Sequence, residues 1–311
     1  MRVFLAGASG AIGRPLLERL LGAGHEVTAL ARTPQRAAEL AARGATPAVA
    51  DALDAQALRA AVLAARPEVV INELTALPAS LNMRRYAREL EPTNRLRREA
   101  GPVLARAAAD AGAQRVIAQS IAFSLDPSGP PVLDETAPLW RDPPAPVRGA
   151  LDAQRTLEEA TLTTSGVDGV VLRYGLFYGP GTMYGPGSPV LDELRRRRFP
   201  VLGDGDARAS FIHVDDAAAA TVRALDAGTP GVYHVTDDEP ARMADWVPAL
   251  AAAIGAPAPR RVPVWLGRLL AGPMAGAMAA MRGASNAKAR GELGWAPSFP
   301  SYREGFAALF G

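Results

Sequence analysis

The chain has 311 residues, with 34 basic against 32 acidic side chains and a net charge of +2. Hydrophobic residues make up 49% and charged residues 21%, which excludes a disordered tail protein and leaves ample apolar surface for a core. There is no cysteine, so disulfides, thiolate metal sites and cysteine nucleophiles are excluded, and with only His25, His213 and His234 no metal centre is predicted.

Met1 to Ala6 is an apolar run cut short by glycines, read as a buried strand rather than as a secretory signal. Strand-like runs follow at Val27–Leu30, Pro47–Ala50, Val69–Ile71 and Val116–Ala118. Helical segments separate them at Arg14–Leu21, Gln35–Ala42, Ala55–Ala64 and Arg95–Ala111. This alternation predicts an α/β fold of the Rossmann type, a doubly wound parallel sheet covered on both faces. Beyond Ser120 the chain is rich in proline and glycine, and strand signals recur at Gly169–Leu172, Ser210–Val214 and Val232–Val235. The predicted division is a dinucleotide-binding domain over 1–175, with return segments near 205–235, and a substrate lobe mainly over 176–311. Val264 to Met281 is broken by Arg268, Gly272, Pro273 and Gly276, which fits a lid or surface helix better than a membrane span. The run Arg195 to Arg198 reads as cations closing a helix, so no nucleic-acid partner is predicted. A cytoplasmic, bacterial protein is expected.

Val3 to Gly13 reads as a strand, a glycine-punctuated turn and a helix start. Gly7 suits the tight turn, Gly10 admits a pyrophosphate close to the backbone, and Gly13 lets helix and strand approach. Ser9, Ala11 and Ile12 complete the loop, whose helix N-terminus offers free N–H groups to phosphates. After the second strand, a small residue followed by Arg32, with Arg36 one turn on, favours the 2′-phosphate of NADP over the 2′-hydroxyl of NAD.

The glycine spacing and the downstream motifs resemble the extended, epimerase/dehydratase-like branch of the short-chain dehydrogenase/reductase superfamily over nearly the whole chain. The resemblance places Asp51 and Ala52 at the adenine, and Leu74 and Thr75 beside the cofactor ribose. Asn94 in Thr93-Asn94-Arg95 matches the family's helix asparagine. Arg173-Tyr174-Gly175-Leu176-Phe177-Tyr178-Gly179-Pro180 resembles its conserved loop, with Tyr174, Gly175 and Phe177 at the cofactor pocket. Phe211-Ile212-His213-Val214-Asp215-Asp216 and Ser285-Asn286-Ala287-Lys288 match its later signatures. The resemblance also allows a homodimer through helices flanking the sheet.

One departure matters. The family's catalytic pair is a tyrosine and, four residues later, a lysine that helps lower the phenol's pKa. The corresponding segment, Val147 to Arg155, has no tyrosine, and the only lysine is Lys288. Ser120, after the fifth strand, becomes the candidate that positions a substrate oxygen, with Ser124 as a weaker one. Tyr178 or Tyr184 is a candidate proton donor, although packing is the plainer role for Tyr178. Arg148 could polarise a carbonyl. Sugar-nucleotide members carry an asparagine where this chain has Leu176 and an arginine where it has Ala209, so a smaller and more apolar substrate fits better. The sequence reading is an NADP-dependent oxidoreductase moving hydride between the nicotinamide and a small carbonyl or alcohol. A non-redox lyase, isomerase or epimerase, and a non-catalytic NADP redox sensor, are the alternatives.

Overall fold

Every residue of the first strand except Arg2 is buried in the computed structural model, which describes residues 1–78 and 80–311, with 270 and 271 described by backbone alone. A strand apolar on both faces belongs inside a parallel sheet. The strands are β1 (Arg2–Ala6), β2 (Glu26–Ala31), β3 (Thr46–Val49), β4 (Val69–Asn72), β5 (Arg115–Ile121), β6 (Asp168–Tyr174), β7 (Leu176–Tyr178), β8 (Phe211–His213) and β9 (Gly231–Val235). Seven of them form one parallel sheet in the order β9-β6-β5-β4-β1-β2-β3. The strand order reverses between β1 and β4, the position at which open α/β sheets bind ligands beyond their carboxyl ends.

Alternate residues of β1 serve opposite faces. Val3 and Leu5 pack with Leu16, Leu17 and Leu20 of α1 (Gly13–Gly22) and with alanines of a later helix, Val214–Arg223. Phe4 and Ala6 face Leu58 and Val62 of α3 (Ala55–Ala65), and Leu104, Ala107 and Ala108 of α5 (Gly101–Asp110). Fully burying side chains such as Phe4 or Leu5 contributes about 1.5–3 kcal/mol each. Helix α2 (Pro34–Ala42) is capped by the Thr33 hydroxyl, and α4 (Tyr86–Arg95) runs into α5 through a π-turn at Leu96–Ala100. Helix α6 (Ala145–Thr163) packs against α4, α5, β5 and β6.

The later chain builds a second core. Helices α7 (Pro189–Arg195), α8 (Val214–Arg223), α9 (Met243–Ala253), α10 (Val264–Ala271), α11 (Pro273–Ala279), α12 (Ala287–Glu292) and α13 (Tyr302–Phe310) follow one another. Phe211 lies at its centre, edge-on to Tyr178, Tyr184, Trp246 and Phe306 at ring-centroid separations of 5.2 to 6.3 Å. Such pairs add about 0.5–1.5 kcal/mol beyond the area they bury.

Three expectations need adjustment. The strand read at Ser210–Val214 forms as three residues, β8, paired with β7 outside the central sheet. The helix read as Arg95–Ala111 begins at Tyr86, because Pro92 is accommodated inside α4 instead of ending it. The helix read at Val264–Met281 is two helices, broken at Gly272, whose φ of 71° and ψ of −160° are open to glycine alone.

Candidate active site

The loop after β1 is shaped by close approach. A Cβ on Gly7 would lie 2.6 Å from the Glu73 carbonyl oxygen, and one on Gly13 would lie 2.0 Å from the Gly7 carbonyl oxygen. Gly10 closes the turn by donating its N–H to the Gly7 carbonyl at 3.0 Å. The N–H groups of Ala11, Ile12 and Gly13 are spent on no backbone carbonyl among the described residues, while Ser9 and Gly10 are exposed. Free amides at an exposed helix N-terminus form a cradle for an anion, so these residues fit a dinucleotide's diphosphate.

The strand ends beside this loop carry the other predicted cofactor residues. Arg32 is exposed after β2 and makes no hydrogen bond or ion pair among the described residues, whereas Arg36 is held by Glu39 at 2.5 Å on its own helix. Exposed Asp51 accepts the Leu53 N–H, and Ala52 is half-buried next to it. Half-buried Leu74 donates its N–H to Asn72, and half-buried Thr75 follows it. Thr93 accepts the Ala76 N–H, which ties α4 to the loop after β4, and Asn94 is buried with its Oδ1 unpartnered. Gly175 and half-buried Phe177 flank the end of β6, and the Phe177 ring tilts on Tyr174 at 5.3 Å.

Glu73 carries a group that sequence reading passed over. Its carboxyl is buried, accepts the Tyr174 hydroxyl at 2.9 Å and leaves Oε2 without a partner. The Tyr174 hydroxyl also lies 2.7 Å from Thr221 Oγ1. Burial pushes the Glu73 pKa up to about 8, against a smaller opposing pull from the Tyr174 hydroxyl. A neutral carboxylic acid therefore sits behind the first glycine of the loop at pH 7.

A second polar network lies beneath the ends of β5 and β6. Ser120 and Arg173 are register partners, and both reach Glu158 on α6. Ser120 donates to Glu158 Oε1 at 2.6 Å, and Arg173 grips the carboxylate with two donors at 2.9 and 2.7 Å. Gln154, one turn earlier, donates to Glu158 at 2.9 Å and to the Ile121 carbonyl at 3.1 Å, and accepts Ser124 at 2.6 Å. Burial alone would raise the Glu158 pKa, but the Arg173 guanidinium and these donors hold it below the ordinary range. His234 lies nearby with both ring nitrogens unpartnered, its pKa pulled down to about 3 by burial and by Arg173. It is a neutral imidazole.

Ser120, Ser124, Gln154 and Glu158 are thus brought together, and α6 presents Ala150, Gln154 and Glu158 at four-residue spacing. The other three catalytic candidates lie elsewhere. The Tyr178 ring is fully enclosed among Phe211, His213 and Phe306, and its hydroxyl faces the buried Asp237 carboxyl. Tyr184 is buried against Phe211 and Trp246. Arg148 is exposed on the first turn of α6, 3.9 Å from Asp142.

A doubly wound parallel sheet with a free-amide cradle at the β1–α1 turn defines a dinucleotide-binding protein of the Rossmann type. The model of the NAD dependent epimerase/dehydratase family matches residues 3–236, and the chain belongs to that family. It is 45% identical over 311 residues to a 3-diazoavenalumate denitrifying reductase from Streptomyces sp, covering 98% of this chain and 99% of that protein. It is 30% identical over 256 residues to the 4-hydroxy-2-methyl-3-oxo-4-farnesyl-3,4-dihydroquinoline-1-oxide ketoreductase of Stigmatella aurantiaca, covering 80% and 72%. The fold is shared with human epimerase family protein SDR39U1 with NADPH, at a TM-score of 0.75 and 21% identity over 99% of each chain. The chain is an oxidoreductase of the family's NAD(P)-dependent kind. No helix among the described residues is long and apolar enough to cross a membrane.

Proposed function

We propose that this protein is an NADP-dependent reductase that removes the diazo group from a small aromatic substrate and leaves an arene. The observation that carries the reading is the face of α6 beneath β5, where Ala150, Gln154 and Glu158 stand and no phenol or lysine is present. Reducing a carbonyl produces an alkoxide that a positioned acid must protonate. A diazonium ion already carries positive charge. Taking up one hydride, it releases nitrogen gas and becomes the neutral arene, with atoms and charge balanced and no proton donor. The similarity to the diazo-acid reductase over nearly the whole of both chains supports this choice.

NADPH bound at the glycine loop would supply the hydride. Ala11, Ile12 and Gly13 would hold its diphosphate through their amides, Arg32 its 2′-phosphate, and Asp51 its adenine. Ser120 acts here as a positioning residue: with its hydroxyl given to Glu158, it fixes the end of β5 against α6. The second reading is reduction of a small ketone, favoured by the similarity to the Stigmatella ketoreductase; Ser124 would then be the hydroxyl to examine first.

Purified protein supplied with NADPH and 4-carboxybenzenediazonium, or with a panel of ketones, separates the two. Nicotinamide oxidation with nitrogen release from the diazonium, and none with the ketones, is the expected result. Turnover of ketones alone would reverse the choice, and no turnover with either would restore the lyase and sensor readings.

A further inference from the structure

Three arginines are buried among the described residues, and they are used differently. Arg115 donates to the carbonyls of Ala224, Ala227 and Gly228. Arg173 is held by Glu158. Arg97 is 6% exposed, its Nε is buried without a partner, and its guanidinium makes no hydrogen bond or ion pair with any described residue. A buried, unpaired guanidinium is expensive for a fold to hold, since arginine does not neutralise itself by losing its proton.

The surroundings show why no protein group answers it. Arg97 lies in the π-turn at Leu96–Ala100, a conformation that is rare and concentrated at functional sites. Asn94, one turn earlier, leaves its own buried Oδ1 unpartnered. Across the seam with α6 the Glu158 carboxylate acts on Arg97 at longer range, but Ser120, Gln154 and Arg173 already occupy it. The other group felt by Arg97 is the Tyr86 phenol. Tyr86 packs, with Met83, Leu139 and Trp140, against an apolar cluster of Val147, Leu151, Met274 and Ala277. An unanswered cation therefore lies in the turn that follows α4, the helix whose Tyr86 borders an aromatic and apolar surface shared with α6 and α11.

We propose that Arg97 is a specificity-determining residue that receives a carboxylate on the substrate. The ligand class is a small aromatic acid, its carboxylate on the guanidinium and its ring against the apolar side chains beside Tyr86. This rests on the reductase reading for the identity of the ligand as substrate. The site itself is tested by binding.

4-Hydroxycinnamate and its methyl ester, titrated by calorimetry into protein saturated with NADP⁺, supply the test. Wild type binds the acid at least tenfold more tightly than the ester. Arg97→Gln abolishes that preference, leaves NADP⁺ affinity unchanged and still folds cooperatively, because no hydrogen bond or ion pair within the protein is lost. Arg97→Lys keeps the charge without the planar fork and retains part of the preference. Equal binding of acid and ester by wild type, or an undiminished preference in Arg97→Gln, overturns the proposal. So does a Gln or Lys variant that fails to fold, since that would make Arg97 a residue of the fold. Acid preference without diazonium turnover would sink the reaction and leave the site standing; equal turnover of 4-carboxybenzenediazonium and its methyl ester would do the reverse.

Discussion

The carboxyl of Glu73 ties the stability of the protein to pH in a definite direction. Its folded pKa of about 8 lies above the unfolded glutamate value of about 4.3, so the native state holds a proton that the unfolded chain releases. Its contribution is intact below the unfolded value, declines as pH rises from there, and is fully lost above about pH 8. Glu73→Gln keeps an acceptor for Tyr174 without the titration. Its Tm advantage over wild type should grow between about pH 5 and pH 8 and then level off, corresponding to a few kcal/mol in all. A constant difference across that range would mean that Glu73 is ionised in the native state. Glu158 behaves oppositely. Removing its guanidinium partner by Arg173→Leu leaves an enclosed carboxylate unanswered and should cost about 3–5 kcal/mol in denaturant unfolding, and Glu158→Gln, which leaves the buried Arg173 guanidinium without a counter-charge, should cost at least as much. Neither carboxyl was legible beforehand. Nothing in the sequence around Glu73 marks it as buried, and only the fold shows that Gly7 lies against it and that its carboxyl meets the Tyr174 hydroxyl. Arg97 was hidden in the same way among Arg84, Arg85, Arg88, Arg95 and Arg98, where nothing in the sequence distinguishes the buried one.

Among the elements, those whose identity is local were readable and those decided by packing were not. The strand, turn and helix from Arg2 to Gly22 announce themselves, because an apolar run and three glycines at fixed spacing leave few alternatives. Gly13→Ala would force a Cβ to within 2.0 Å of the Gly7 carbonyl, so helix and loop must separate. The variant should lose dinucleotide binding by at least a hundredfold in calorimetry; binding within a few fold of wild type would mean that the loop does not hold the cofactor. Strand β8 was read at the right place, but its pairing with β7 outside the central sheet was not legible, since three residues cannot reveal which strand is their partner. Helix α4 was read late for a related reason: Pro92 weakens a helix without ending it when neighbouring turns are packed against α6. That α6 carries neither tyrosine nor lysine was legible in the sequence, but the Ser124–Gln154–Glu158 network needed the helix to be placed against β5.

For the molecule as a whole, the glycine loop lies where the strand order reverses, so a dinucleotide bound there should stabilise the sheet and the helices on both of its faces together. NADPH at about a hundred times its Kd should add about 2.7 kcal/mol to unfolding. Arg32→Ala should reduce the NADPH affinity about tenfold or more while leaving NADH nearly unchanged, as expected for loss of a charge-assisted bond to the 2′-phosphate. An equal loss for both nucleotides would remove the preference for NADP. In the proposed reaction, hydride leaves a bound nicotinamide for an electrophile that needs no proton from the protein. Its most direct measurement is the stoichiometry of a single anaerobic reaction, with NADPH oxidised, nitrogen released and arene formed all counted, beside controls with Gly13→Ala and without protein. Equal amounts of the three, seen only with the wild-type protein, are predicted. Nitrogen released without NADPH oxidation, or NADPH oxidised without arene, would rule that reaction out.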